Sequence, residues 1–164
     1  MLKSLLILRH AKSSWDEPGL ADIDRPLNKR GKRDAPHIGF LLREEGIVPD
    51  LILCSPALRA RKTAEAVAEN CGFEGEIEIQ DSFYPGHPAD YLEVVGHLPD
   101  QYLCVMVVGH NPGLEELLTT LTDESVALPT AALAQISLPI HTWRDLTDEV
   151  TGKLVNLWLV KRSI

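Results

Sequence analysis

The sequence predicts an α/β domain in which helices cover both faces of a mostly parallel sheet. Strand and helix patterns alternate along the chain, and two deeply apolar strands stop abruptly at polar residues. The 164 residues, 45% of them apolar, can bury one core but fall short of a typical two-domain length. We therefore expect a single domain over residues 1–164.

Caps, turns and breakers define the elements. Asn28 is a suitable N-cap and Gly46 a suitable stop for the first helix, although Pro36 interrupts its pattern and leaves a later start open. Pro56 is expected at the first position of the second helix, where a missing N–H costs nothing. In order, we predict a strand over 5–8, helix 28–45, strand 51–54, helix 57–70, strand 76–80, helix 89–98, strand 103–108, helix 113–121 and closing strands over 132–138 and 153–160, which could be neighbours.

Composition and charge exclude several classes of protein. The net charge of −8 argues against nucleic acid as a partner, and no apolar run approaches the roughly 18 residues of a membrane span. Without a signal-peptide pattern, the protein is expected in the cytoplasm. The three cysteines are widely spaced, so we expect reduced, structural thiols. Residues 9–62 hold 11 Lys or Arg against 8 Asp or Glu, which suits a small anionic ligand but also fits a solvated helix surface.

Polar clusters follow three of the predicted strands. Arg9 and His10 end the first strand, Arg59 lies in the segment after the strand over 51–54, and His110 follows the strand over 103–108. If these strands are parallel neighbours, the clusters meet at one edge of the sheet. Two His and two Arg together would need an anion, and phosphate suits planar guanidinium groups. Taken singly, Arg59 could instead be a helix-surface residue and His110 a turn residue.

Four motifs resemble those of the histidine phosphatase superfamily, and the small SixA-type phosphohistidine phosphatases above all. The resemblance spans most of residues 5–121 and implies a three-layer α/β/α sandwich, similar to that of phosphoglycerate mutase, with a mostly parallel mixed sheet. The motifs are Leu8-Arg9-His10-Ala11, Arg25-Pro26-Leu27-Asn28-x-x-Gly31, Ser55-Pro56-Ala57-Leu58-Arg59-Ala60-x-x-Thr63-Ala64 and Val108-Gly109-His110-Asn111-Pro112.

The resemblance also implies roles for individual residues. His10 would be the nucleophile, Arg9 and Arg59 would bind phosphate, and His110 would be the second histidine of the site, with no metal or other cofactor. An imidazole can attack phosphorus without a base, and each donor that holds the phosphoryl oxygens is typically worth about 10²- to 10³-fold in rate. Asp81 is the expected proton donor, although larger members of the family have Glu there and Asp81 could equally be a strand-end turn residue.

The loop over residues 12–26, which we call the rim loop, follows the proposed nucleophile directly. Lys12, Ser13 and Ser14 could add donors to a phosphate but are expected to be solvated, whereas Trp15 could contact the substrate. Short segments between the motifs suggest an open site that admits a protein side chain. We predict a phosphatase acting on phosphohistidine in a protein; the alternatives are a small-molecule phosphomonoesterase and a phosphate-binding module without turnover. The sequence does not indicate an oligomeric state.

Overall fold

The computed structural model describes residues 2–160, which form a six-stranded mixed sheet with two helices packed on each face. This is the predicted three-layer α/β/α sandwich. The strands are β1 (Lys3–Arg9), β2 (Leu51–Cys54), β3 (Ile77–Ile79), β4 (Cys104–Gly109), β5 (Leu133–Leu138) and β6 (Lys153–Trp158). The helices are α1 (Lys29–Glu44), α2 (Leu58–Cys71), α3 (Pro88–Gly96) and α4 (Gly113–Thr122).

The strands follow the order β3-β2-β4-β1-β5-β6 across the sheet. The first four are parallel to one another, and β5 and β6 are antiparallel neighbours, which confirms the pairing of the two closing strands. β2, β4 and β1 therefore lie side by side and end at the same edge. This arrangement is what the convergence of the polar clusters requires.

Side chains of β1 alternate between two apolar layers. Leu5 and Ile7 pack with α3 and α4, whereas Leu6 and Leu8 pack with α1 and α2. All four are almost completely buried, and each burial stabilises the fold by about 1.5–3 kcal/mol. The apolar run that predicted a strand thus holds both helical layers and fixes the position of the residues that follow it.

The start of the first helix confirms the predicted cap, whereas the start of the second differs from the prediction. α1 begins at Lys29, with the Asn28 side chain accepting from the Gly31 N–H at 2.9 Å, and it continues through Pro36 without a break. The proline removes one backbone donor, but the cap and the packing against α2 keep the helix whole. α2 begins at Leu58, because the Ser55 hydroxyl accepts from the Ala57 N–H and holds Pro56 in a turn before the helix.

The rim loop contains more structure than its sequence indicated. Ser13 and Leu27 form an antiparallel bridge across its two ends, and residues 22–24 form one 3₁₀ turn. The expectation of a loop without regular structure was therefore wrong for this turn, which is too short to show a periodic pattern. None of the helices within residues 2–160 is long and apolar enough to cross a membrane.

Candidate active site

The polar clusters after β1, β2 and β4 meet at one edge of the sheet, as the sequence predicted. The His10 N–H donates to Gly109 at 3.2 Å and the Ser55 N–H to Val108 at 3.0 Å, which ties the three strand ends together. The rings of His10 and His110 lie 5.2 Å apart between centroids. The charges of Arg9 and Arg59 act on both histidines. We call these four residues the strand-end cluster.

His10 is held in one tautomer by its neighbours. Its Nδ1 lies 2.7 Å from the Ala11 carbonyl oxygen, which can only accept, so Nδ1 carries the hydrogen and Nε2 keeps its lone pair. Thr63 holds the backbone at Ala11, because its hydroxyl accepts from the Ala11 N–H and donates to the backbone carbonyl oxygen of Arg59. Burial, aided by the charges of His110, Arg59 and Arg9, lowers the pKa of His10 to about 3. The ring is neutral at physiological pH and can act as a nucleophile.

His110 is oriented by Ser55. The Ser55 hydroxyl lies 2.7 Å from His110 Nε2 and accepts from the Ala57 N–H, while the Tyr91 hydroxyl accepts from the His110 N–H. Burial, followed by the charge of Arg59, lowers the pKa of His110 to about 4. Its Nδ1 is buried and has no hydrogen-bond partner among the described residues.

The two arginines are anchored through their outer nitrogens. Arg9 Nη1 donates to the Leu128 carbonyl at 3.0 Å. Arg59 donates from Nη1 to the Asp22 carbonyl at 2.7 Å and from Nη2 to the Asp22 carboxylate at 3.0 Å. The Nε atoms of both arginines are buried without a partner among residues 2–160. Unpaired buried donors are costly, so these atoms indicate where an anion would bind.

Asp22 is the functional candidate that sequence reasoning missed. Its carboxylate accepts from Tyr84 at 2.6 Å, from Arg25 at 3.0 Å and from Arg59. The hydrogen bond from Tyr84, followed by those from Arg25 and Arg59, lowers the pKa of Asp22 to about 2. The one available signal was indirect, because Asp22 lies in the rim loop within the basic segment of the chain.

The other predicted site residues lie further from the cluster. Asp81 is exposed at the start of a 3₁₀ turn, and its side chain makes no hydrogen bond to a described residue. Its role as proton donor stays a prediction. Lys12 is exposed as expected, but the expectation that Ser13 is solvated was wrong, because Ser13 is buried and its hydroxyl accepts from Arg25. Trp15 is 72% exposed and stacks on the Arg25 guanidinium group, 3.5 Å from its ring centroid.

The chemistry of the site is that of an uncharged nucleophile beside positive charge. Within residues 2–160, no three His, Cys, Asp or Glu side chains are placed to hold a metal ion. Cys54 and Cys104 are poor nucleophiles, because burial raises their pKa to about 12 and about 11. His10 Nε2 is therefore the group best suited to attack an electrophile, and the arginines are suited to hold an anionic one.

Comparisons with known proteins define the class. The model of the histidine phosphatase superfamily (branch 1) matches residues 5–84. An uncharacterized chloroplastic protein of Arabidopsis thaliana is 35% identical over 152 residues, which is 87% of this chain and 70% of the relative. The chain belongs to the histidine phosphatase superfamily.

Solved structures place it more closely within that superfamily. A protein of Agrobacterium tumefaciens, assigned as the phosphohistidine phosphatase SixA, superposes with a TM-score of 0.83 at 29% identity, over 98% of this chain and 99% of that one. The corresponding protein of Nakamurella multipartitia gives a TM-score of 0.86 at 26% identity, over 97% and 96%. The phosphoglycerate mutase-like fold and the SixA-type branch predicted from the motifs are thus confirmed.

Proposed function

We propose that this protein is a phosphatase that removes the phosphoryl group from phosphohistidine in a partner protein through a covalent intermediate on His10. The partner would be a protein of the same compartment, which the sequence predicts to be the cytoplasm. No metal or other cofactor takes part in the reaction as we propose it.

One observation supports the phosphoryl-transfer reaction most strongly. Three buried nitrogens lack partners among the described residues, and they belong to three members of the strand-end cluster: Arg9 Nε, Arg59 Nε and His110 Nδ1. In the tautomer in which the Ser55 hydroxyl donates to His110 Nε2, which is the one that we propose, Nδ1 carries a hydrogen and is a third donor. Three donors beside a neutral imidazole match the equatorial oxygens of a phosphoryl group under in-line attack.

The reaction then has two balanced steps. In the first, the lone pair of His10 Nε2 forms a bond to phosphorus while the bond from phosphorus to the substrate imidazole breaks. A substrate ring protonated on its other nitrogen leaves as neutral imidazole. In the second step, water attacks the phosphorus of phosphorylated His10 while the P–Nε2 bond breaks and returns its electron pair to Nε2, and both protons of the water leave with the product as dihydrogen phosphate. His10 returns to the neutral form, which its low pKa favours.

The leaving group distinguishes phosphohistidine from a phosphomonoester. An alkoxide needs a proton as it leaves, whereas a protonated imidazole does not. The carboxylate beside Arg59 is Asp22, and its hydrogen bonds keep it ionised, so it accepts hydrogen bonds and does not supply a proton. A phosphomonoesterase would depend on Asp81, which is exposed. These features favour an imidazole leaving group.

The proposal is tested by trapping the intermediate. We expect a radiolabelled phosphohistidine protein to transfer label to the wild-type enzyme and to the His141→Ala variant, because His141 is exposed on a loop. His10→Ala should take up no label and show no turnover. We also expect kcat/KM to be higher for the phosphohistidine protein than for phosphomonoesters.

Each contrary outcome rejects a defined part of the proposal. Turnover by His10→Ala would refute the covalent mechanism. A preference for phosphomonoesters would replace phosphohistidine by a small-molecule substrate. Binding of the phosphoprotein by the wild type without any turnover would instead define a phosphate-binding module.

A further inference from the structure

We propose that Asp22 is a positioning residue for phosphoryl transfer, which holds the outer edge of the Arg59 guanidinium group so that the opposite edge faces the phosphoryl group. The inference rests on the function proposed above. It assigns a role to the rim loop, which would act on the reaction through Arg59 rather than by touching the reacting atoms.

The covalent geometry of arginine shows which edge of the Arg59 guanidinium group is left to bind a phosphoryl group. Nη1 lies on the side of Cδ, and Nη2 lies on the side of the Nε–H group. Asp22 engages Nη1 with its carbonyl oxygen and Nη2 with its carboxylate, so it occupies the outer edge between the two Nη atoms. The Nε–H and the second N–H of Nη2 point the other way as a parallel pair, and such pairs bind phosphate oxygens in bidentate fashion. Asp22 and a phosphoryl group can therefore bind Arg59 together.

Arg9 shows the same arrangement with a different anchor. Its Nη1 donates to the Leu128 carbonyl oxygen, and its Nε is buried and unpartnered among the described residues, as that of Arg59 is. A free arginine side chain samples many rotamers, and anchoring removes this freedom before the substrate arrives. The anchor of Arg9 is a backbone group, whereas the anchor of Arg59 includes a side chain that can be changed by mutation.

Asp22 is itself held rigidly enough to serve as an anchor. Tyr84 donates to the carboxylate oxygen that Arg59 also uses, and Arg25 donates to the other. Arg25 is buried, donates to the Ser13 hydroxyl at 2.8 Å and lies under the Trp15 ring. Three donors thus fix the orientation of a carboxylate that is 47% exposed. The rim loop positions Asp22, and Asp22 positions Arg59.

A purely structural role for Asp22 predicts a different result in a double-mutant cycle. If Asp22 acts through Arg59, its removal should matter only while Arg59 is present. If Asp22 merely stabilises the rim loop through Arg25, its removal should cost the same with or without Arg59. The cycle therefore separates the two roles, even though both involve the same carboxylate.

The experiment measures kcat/KM for wild type, Asp22→Ala, Arg59→Ala and the double variant with the phosphohistidine protein. We expect Asp22→Ala to lower kcat/KM by about 10- to 100-fold, because small displacements of a catalytic group are that costly. Arg59→Ala should lose about 10²- to 10³-fold, and the double variant should lose no more. Asp24→Ala removes an exposed carboxylate from the same 3₁₀ turn and should retain wild-type activity.

Two results would overturn the inference. One is wild-type kcat/KM in Asp22→Ala, and the other is an equal loss from Asp22→Ala in the wild-type and Arg59→Ala backgrounds. If Asp22→Ala unfolds, the cycle is run with Asp22→Asn, which keeps the volume and one acceptor oxygen and should retain more activity. Turnover that needs His10 but not Asp22 overturns this inference alone, whereas turnover without His10 overturns the proposed function.

Discussion

The strand-end cluster and the rim loop build one site in different ways. His10 and His110 directly follow central strands and are 7% and 6% exposed, and the His10 N–H donates to the Gly109 carbonyl oxygen of the neighbouring strand. Asp22 and Trp15 lie on an exposed loop that is held by short-range backbone hydrogen bonds and by side-chain contacts around Arg25. The difference suggests separate roles for the two regions. The residues at the strand ends supply the nucleophile and the phosphate-binding groups, and the residues of the rim loop orient or supplement them.

The charges of the two regions agree with these separate roles. The strand-end cluster places two positively charged guanidinium groups beside two imidazole rings that burial keeps neutral. Because none of these four side chains is negatively charged, the cluster attracts an anion. The rim loop contributes a carboxylate, which would repel a phosphoryl group at close range. Asp22 is instead bonded to the outer edge of Arg59. We therefore expect substitutions in the cluster to have larger effects than substitutions in the rim loop.

After loss of the nucleophile His10, the largest effects are expected for the phosphate donors, and His110 tests whether the cluster acts as a unit. His110→Ala removes one of the three proposed phosphate donors, and the loss of such a donor typically lowers kcat by about 10²- to 10³-fold. Steady-state kinetics with the phosphohistidine protein measures it, with exposed His97→Ala as the matched control. A loss smaller than that of Asp22→Ala would reverse the proposed ranking of cluster and loop.

Between pH 7 and 5 the cluster should also make stability depend on pH, whereas Asp22 of the rim loop, with its pKa lowered to about 2, contributes only at lower pH. Histidines of the unfolded chain take up protons below about pH 6.5, whereas folded His10 and His110 stay neutral down to about 3 and about 4. Stability is therefore complete above pH 6.5 and is lost as the pH falls toward 4, by at most about 1.4 kcal/mol per pH unit for each histidine.

Urea unfolding at pH 7, 6 and 5 checks this dependence. The His10→Gln/His110→Gln double variant should show a flatter dependence of the free energy of unfolding on pH than the wild type. His141→Gln, an exposed histidine, should leave the slope unchanged. An equal slope in wild type and double variant would mean that the two rings are not held neutral by the fold.

A smaller effect is expected at Thr63, whose hydroxyl connects the backbone of Ala11, next to His10, with the backbone of Arg59. Thr63→Val keeps the shape but leaves the buried Ala11 N–H without its acceptor, at a cost of about 1–3 kcal/mol in the free energy of unfolding. Because Ala11 holds the His10 ring, kcat should fall by about tenfold.

Thr119 offers a close control for that substitution. Its hydroxyl also donates to the carbonyl four residues earlier, but on an exposed face of α4, so Thr119→Val should change stability by less than about 0.5 kcal/mol. Equal effects of the two substitutions would show that Thr63 acts only through its helix.

The same contrast explains what the sequence could predict. His10 and His110 were predictable, because an apolar run that ends at a polar residue fixes both a strand and the sheet edge at which it ends. Nothing comparable distinguishes Asp22 from Asp16, Glu17 or Asp24 in the rim loop. Its partner Arg59 is 37 residues away, and the contact depends on a single 3₁₀ turn. The spacing of residues in a sequence predicts helices and strands well, but it does not show which distant residues the side chains of a loop contact.

Asp81 illustrates the same limit of sequence-based prediction for a residue that was expected in the site. The position after β3 matched the family pattern, so a carboxylate there was expected in the site, but position along the chain does not fix where a short side chain points. The structure has Tyr84, three residues later, against both Asp22 and the His110 ring. The segment after β3 thus supplies the phenol of Tyr84 to the site, and the role of Asp81 as proton donor stays a prediction.

The smallest effect is expected for Trp15, and it tests whether the rim loop also contacts the substrate. Trp15 is largely exposed and is held by a cation–π contact with Arg25 that is worth about 0.5–1 kcal/mol at an exposed site. An exposed, oriented indole suits contact with the polypeptide around a phosphohistidine. Trp15→Ala should therefore lower kcat/KM a few-fold for the phosphohistidine protein and leave that for free phosphohistidine unchanged.

Phe40→Ala removes an exposed aromatic ring from α1 and should affect neither substrate. An equal loss by Trp15→Ala on both substrates would mean that Trp15 acts only on the site, through Arg25 and Asp22. Because free phosphohistidine needs Arg59 but no polypeptide contact, the two substrates separate positioning by the rim loop from recognition by it.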